Sequence, residues 1–99
     1  MTNRKLDAAI ANVLGWKQGI NVFYYPKYST DGNAMLELDR EMQARGFMLM
    51  VEVYNEGYSA SYWICHAKEW TGDYVSNNMP KAVARAAYEA LTGKEWRDD

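Results

Sequence analysis

The hydrophobic period of this chain changes twice, and these changes restrict the fold more than any other feature. In residues 2–14 and 33–45 the apolar side chains recur every three or four positions, which is typical of amphipathic helices. In residues 47–54, FMLMVEVY, they alternate, which is typical of a strand. The helical period returns in residues 80–91, which begin with a proline, a residue favoured in a first helical turn. A chain of 99 residues with this pattern has room for one domain, residues 1–99.

The first half of the chain is predicted to form two helices joined by an irregular connector. Thr2 is a candidate N-cap for a helix that continues to about residue 14, and Gly15 is a candidate stop. Residues 16–28 form the connector, with a short extended piece at 22–25. The second helix is predicted over about residues 33–45, and Gly46 ends it.

The second half is predicted to form an antiparallel sheet closed by a helix. Met48 and Met50 make both faces of the first strand apolar, which predicts a central strand or one covered on both sides. NEGY is a hairpin turn, SASYWICHA returns, and WTGDYVS follows a second turn around Lys68. We therefore predict the α+β class, a three-stranded antiparallel sheet packed by helices in the order α-α-β-β-β-α.

The net charge and the single cysteine limit which binding partners and which cellular compartment are expected for this protein. A net charge of -2 and a pI near 5.3 argue against a general nucleic-acid binder, which needs clustered Lys and Arg. The single cysteine, Cys65, cannot form an intrachain disulfide. The N-terminal residues lack the apolar core of a signal peptide, and no apolar run reaches membrane-spanning length. The expected location is the cytoplasm, with no membrane partner.

The sequence contains no constellation that predicts an enzyme. Cys65 and His66 are adjacent, and neighbours on a strand point to opposite faces, so they are not expected to form a catalytic pair. Glu37 and Glu41 are four residues apart on a helix face predicted to be solvated. The chain lacks repeated Cys/His ligand pairs and a phosphate-binding loop, so we expect neither a metal nor a cofactor.

Aromatic residues are the compositional indication of a binding surface. They make up 14% of the chain, with four Trp, eight Tyr and two Phe. Trp and Tyr suit half-exposed binding positions, and they equally suit the strands of a small sheet, so both interpretations stay open. In YYPKYSTDGNAML the polar residues are first of all a helix start, whose free amides could also hold an anion. The candidate ligand-binding residues are Trp16, Tyr25, Tyr28, Ser29, Thr30, Asp31, Trp63, His66 and Arg85.

The C-terminal helix suggests one alternative partner. PKAVARAAYEAL after three strands is also the pattern of double-stranded-RNA-binding domains. Those domains need several lysines at the start of this helix, and here it offers Lys81 and Arg85 in an acidic chain. Close packing of small residues explains the alanines without RNA, so duplex RNA is the less favoured alternative.

Several motifs resemble the phage ABA sandwich domain, a family of small phage and prophage proteins. They are Gly15-Trp16, the Tyr-Ser-Thr-Asp of residues 28–31, Gly46-Phe47 and the Arg-Ala-Ala of residues 85–87, so the resemblance covers most of the chain. The chain departs from the family at Lys5, where Glu is usual, and at residues 32–33, where Gly-Asn replaces residues that favour a helix.

The resemblance implies an accessory protein that acts by binding in the host cytoplasm. Two ligands fit this implication: a nucleotide-derived signal of an antiviral defence system, or a host protein. It transfers no catalytic residues, and a homo-oligomer is compatible with it.

Overall fold

The described part of the chain forms three helices and an antiparallel sheet in the predicted order, which confirms the α+β class. A computed structural model describes residues 4–15 and 26–97. The predicted cap at residue 2 and the extended piece at 22–25 lie outside the described residues. The elements are α1 Arg4–Val13, α2 Gly32–Ala44, β1 Phe47–Tyr54, β2 Gly57–Ile64, β3 Glu69–Trp70, β4 Tyr74–Ser76 and α3 Met79–Thr92.

Helix α2 begins at the polar residues that the sequence predicts as a helix start. Asp31 is the N-cap of this helix, and its Oδ1 accepts the Asn33 N–H at 2.9 Å. Helix α3 ends at Gly93, whose left-handed φ of 74° lets its N–H bond to the Glu89 carbonyl at 2.7 Å. In the described ranges no helix combines the length and the apolar character that crossing a bilayer requires.

The sheet formed by the described residues has four strands because the predicted third strand is split. Strands β1 and β2 pair without interruption from Phe47 opposite Ile64 to the hairpin, while β3 and β4 both pair with the other edge of β2. Between them Thr71 faces Tyr62: its N–H donates to the Tyr62 carbonyl and its Oγ accepts the Tyr62 N–H, each at 2.9 Å. The threonine hydroxyl thus takes the place of a backbone acceptor, and the strand breaks there.

Strand β1 is at one end of the described sheet, so the prediction of a central strand is wrong within the described residues. Its face containing Phe47 is turned toward the helices, whereas Met48 and Met50 are 58% and 43% exposed on the opposite face. The methionines follow the strand pleat rather than indicating a second covering layer.

Helix α3 is the centre of the fold. It packs on β2, β4 and β1 and also contacts α1 and α2, while α2 contacts β1. Small side chains let all these elements approach the helix closely, as the alanine content predicts. The buried residues of α3 are Ala82, Val83, Ala84, Ala86, Ala87 and Ala90.

Candidate functional site

The turn at residues 28–31 is anchored to α1 by a buried carboxylate. Tyr28 and Ser29 are buried, while Thr30 and Asp31 are exposed. The Ser29 N–H donates to Asp7 Oδ1 at 2.8 Å, and Asp7 Oδ2 accepts from Arg4 at 3.1 Å. The turn is therefore held in place by groups that also belong to the protein interior.

The same turn adjoins the start of α3. The Ser29 carbonyl accepts a hydrogen bond from Asn78 Nδ2 at 3.3 Å, and the Asn78 N–H donates to Ser76 Oγ at 3.1 Å. Asn78 is the N-cap residue of α3, yet its side chain makes no capping bond to the helix. Its amide is used to dock the turn instead.

Three charged side chains occupy successive turns on the half-buried side of α3: Lys81, Arg85 and Glu89. Glu89 stands four residues after Arg85, the usual spacing of a helical ion pair. It is engaged elsewhere, because it accepts the Gly72 N–H at 3.2 and 3.3 Å and the Tyr74 hydroxyl. Burial, followed by this hydroxyl bond to Glu89, raises the pKa of Tyr74.

Arg85 consequently has no carboxylate partner among the described residues. Its guanidinium carbon lies 4.9 Å from the centre of the Tyr74 ring, within the range of a cation–π contact. Its Nε is buried and donates to no acceptor in the described ranges. The site therefore lacks a hydrogen-bond acceptor beside Arg85, and a buried donor without an acceptor is unfavourable.

The order of charges along α3 is opposite to the order that the helix dipole favours. Lys81 stands in the first turn, at the positive end, Arg85 stands one turn further along, and Glu89 stands in the second half. Asn78 provides no side-chain cap at that positive end, and Pro80 has no N–H. An anion at this end would complement both the dipole and the two cations. The arrangement is thus suited to holding a negatively charged group.

The structure distributes the predicted site residues over separate places. Ser29 and Thr30 belong to the turn that adjoins the helix of Arg85. Trp63 lies on the opposite side of the sheet, with its ring centre 5.3 Å from that of Trp70. His66 is exposed and makes an edge contact with Phe47, their ring centres 6.0 Å apart. Trp16 and Tyr25 lie outside the described residues.

Cys65 and His66 lie in a turn and not on a strand. Strand β2 ends at Ile64, so both residues belong to a turn at 65–68 that includes Lys68 with φ 53°. Alternation of faces along a strand does not apply in a turn, and both side chains are exposed. The described residues contain no group of three His, Cys, Asp or Glu side chains able to hold a metal.

The side of the sheet away from the helices carries exposed apolar residues. We call this surface the outer face. Tyr62 is on the opposite face of β2, which belongs to the core. The outer face contains Met48, Met50, Tyr54, Trp63, Trp70 and Val75.

A cleft of about 230 Å³ lies beside α2 and is lined in part by Tyr28 of the turn at 28–31. Glu37 and Glu41 form part of its rim and are exposed, as predicted. Two carboxylates one turn apart would repel an anion, so this cleft does not suit the ligand that the start of α3 favours. Its lining residues are Leu14, Pro26, Tyr28, Glu37, Leu38 and Glu41.

No protein-family model, no curated protein and no solved structure matches this chain. Asp7, Asn78 and Glu89 were missed by sequence reasoning, because each acts through a residue distant in the chain.

Proposed function

We propose that this protein is a non-enzymatic binding protein that holds a nucleotide-derived anion at the start of α3. The observation that carries the proposal is Arg85, a half-buried cation with a buried Nε and no described acceptor. Arginine binds phosphate through two parallel, charge-assisted hydrogen bonds. Lys81 one turn earlier adds a second positive charge, and the exposed Thr30 hydroxyl belongs to the turn docked beside Asn78.

The biological role that we propose is sequestration of a signalling nucleotide of a host antiviral defence. This role is supported by the resemblance to the phage ABA sandwich domain. The proposed location is the host cytoplasm. Binding alone removes such a signal, so the proposal includes no turnover of the bound molecule and no cofactor.

Isothermal titration calorimetry against cyclic dinucleotides and ADP-ribose derivatives tests the proposal. Loss of charge-assisted bonds costs about 1.5–3 kcal/mol, so Arg85→Gln should weaken binding by about tenfold or more. Arg40→Gln is the matched control, because it removes the same charge from an exposed position on α2. A wild-type protein that gives no heat with any of these nucleotides would refute the proposal. Duplex RNA as a further titrant tests the RNA alternative, which predicts steeply salt-dependent binding.

The outer face favours a second candidate function, a module that inhibits a host protein by contact. Trp70 is 46% exposed and Val75 63% exposed, and exposed apolar patches of this kind mark protein contacts. A pull-down from host lysate with wild-type protein and with Trp70→Ala separates this function from nucleotide binding. A host protein lost with Trp70→Ala and kept with Arg85→Gln would support the second candidate.

A further inference from the structure

Among the described residues, strand β1 has an open edge, and it lacks the features that usually protect such an edge. Its eight residues contain no proline and no lysine, and the only charge is Glu52. Its pairing with β2 advances one residue at a time and contains no bulge. In the described ranges no strand pairs with its second edge. Soluble proteins rarely leave a long, regular, apolar edge uncovered.

The hydrogen bonds of β2 identify which residues of β1 point outward. Tyr62 directs its N–H and its carbonyl toward Thr71, away from Leu49, which stands opposite it on β1. The Cys65 N–H donates to the Gly46 carbonyl at 3.4 Å, just before β1 begins. The residues of β1 that bond to β2 are therefore the even-numbered ones. Because bonded and non-bonded pairs alternate, the odd-numbered residues turn their backbone groups to the open edge. These residues are Phe47, Leu49, Val51 and Val53.

We propose that two copies of this chain pair antiparallel along their β1 edges, with the twofold axis at Met50. In this register Leu49 bonds with Val51 of the other copy, and Phe47 bonds with Val53 of the other copy. Every outward-pointing residue of both strands then has a bonded partner. Moving the axis by one residue in either direction places one outward residue of each copy beyond the end of the other β1 strand. The hydrogen-bond pattern therefore selects one register.

Charges and side-chain faces agree with that register. Glu52 stands opposite Met48 of the other copy, so the only charge of the strand meets no like charge. Residues opposite each other share a face, so the two outer faces join into one apolar surface across the axis. The two Met50 side chains meet at the axis as a non-bonded pair, with their Cα atoms about 4.5 Å apart.

Two lysine substitutions on the outer face test the register. Met50→Lys places two ammonium groups against each other at the axis and should raise the dimer dissociation constant at least tenfold. Met48→Lys is the matched control, because its ammonium group faces Glu52 of the other copy and should leave the dimer intact. Both methionines are exposed, so neither change enters the core. Sedimentation velocity gives the oligomeric state, and far-UV circular dichroism checks the fold.

Cysteine cross-linking supplies a second readout in a Cys65→Ser background. Met50→Cys should form an intersubunit disulfide, because its Cα separation lies within the disulfide range of about 4.4–6.8 Å. Met48→Cys should not, because the two copies of that residue are offset by four positions, roughly 14 Å along the strands. The shared face and exposure of the two methionines make the comparison direct.

Three results would overturn the proposal. The first is a wild-type protein that stays monomeric at about 100 µM, a concentration far above the usual dissociation constants of specific dimers. The second is equal dissociation by the two lysine variants, or equal cross-linking of the two cysteine variants. The third is a monomer in which the Leu49 and Val51 amides exchange slowly with solvent, since the same chain would then cover the edge. None of these results depends on nucleotide binding at Arg85.

Discussion

Asp7 is the residue that most directly connects the α1 helix to the candidate site. Its side chain is 0% exposed and accepts hydrogen bonds from the Ser29 N–H and from Arg4. A buried carboxylate is tolerated where hydrogen bonds and a cation compensate its desolvation. Through Ser29 the same interaction fixes the turn that contacts Asn78. The position of the turn beside α3 therefore depends on a residue outside both elements.

Asp7→Ala should lower the free energy of unfolding by about 1–3 kcal/mol, because it removes the acceptor of a buried N–H. Asp7→Asn should cost less, since the amide oxygen can still accept from Ser29, while the hydrogen bond and the charge opposite Arg4 are both lost. Urea denaturation of the three proteins measures the difference. Equal stability of Asp7→Ala and the wild type would show that this hydrogen bond does not hold the turn.

At the scale of the elements, the β1–β2 hairpin depends on a glycine that the backbone geometry requires. Gly57 has φ 154°, and a Cβ atom placed there would lie 2.6 Å from the Ser76 carbonyl oxygen. That oxygen belongs to β4, which pairs with the start of β2. The close approach of the two strands therefore excludes any side chain at this position.

Gly57→Ala should destabilise the protein by at least about 1 kcal/mol, because strained backbone conformations cost roughly 1–3 kcal/mol each. Gly32→Ala is the matched control: it lies in the first turn of α2, has an ordinary φ and has open space around its Cα. That change should stabilise the protein by about 0.4–1 kcal/mol. Thermal denaturation of both variants gives the comparison, and a neutral Gly57→Ala would contradict the close approach to Ser76.

The elements were largely predictable from the sequence because their signals are local. The alternation in residues 47–54, the Asp31 cap and the proline at the start of α3 each lie within the element that they define. The split of the third strand was not predictable, because it depends on the Thr71 hydroxyl meeting Tyr62 across the sheet. The edge position of β1 was likewise not predictable from the sequence, since a strand with two apolar faces can be either covered or exposed.

The candidate site was predictable only in part, for the same reason. Arg85 and the turn at 28–31 were among the candidate residues. The contacts that surround them join residues 22, 49 and 17 positions apart: Asp7 with Ser29, Ser29 with Asn78, and Gly72 with Glu89. No local pattern indicates that Glu89 is diverted from Arg85, although this diversion is the basis of the proposed anion site.

At the scale of the whole molecule, one hydrogen bond joins the sheet to α2. Tyr62 is fully buried on β2, and its hydroxyl donates to Asp39 Oδ1 at 2.9 Å. The other oxygen of Asp39 accepts from Gln43 at 2.6 Å, one turn further along α2. Burial, and secondly the negative charge of Asp39, raise the pKa of Tyr62. The fold is therefore stabilised by a phenol that remains protonated.

This raised pKa makes the stability of the whole molecule depend on alkaline pH. Below about pH 10, the ordinary tyrosine pKa, the folded and the unfolded chain both hold the Tyr62 proton, and its contribution is fully present. Above that pH the unfolded chain releases the proton while the folded chain keeps it. The free energy of unfolding should then fall by up to about 1.4 kcal/mol per pH unit for this group.

Tyr62→Phe should therefore be less stable than the wild type near pH 8, because the bond to Asp39 is lost, and should lose stability less steeply above pH 10. Phe47→Leu is the control, since it perturbs the buried side of β1 without removing a titrating group and should keep the wild-type slope. Urea denaturation at intervals from pH 8 to about pH 11.5 measures both slopes. An unchanged slope in Tyr62→Phe would mean that the phenol ionises equally in both states and would contradict the raised pKa of Tyr62.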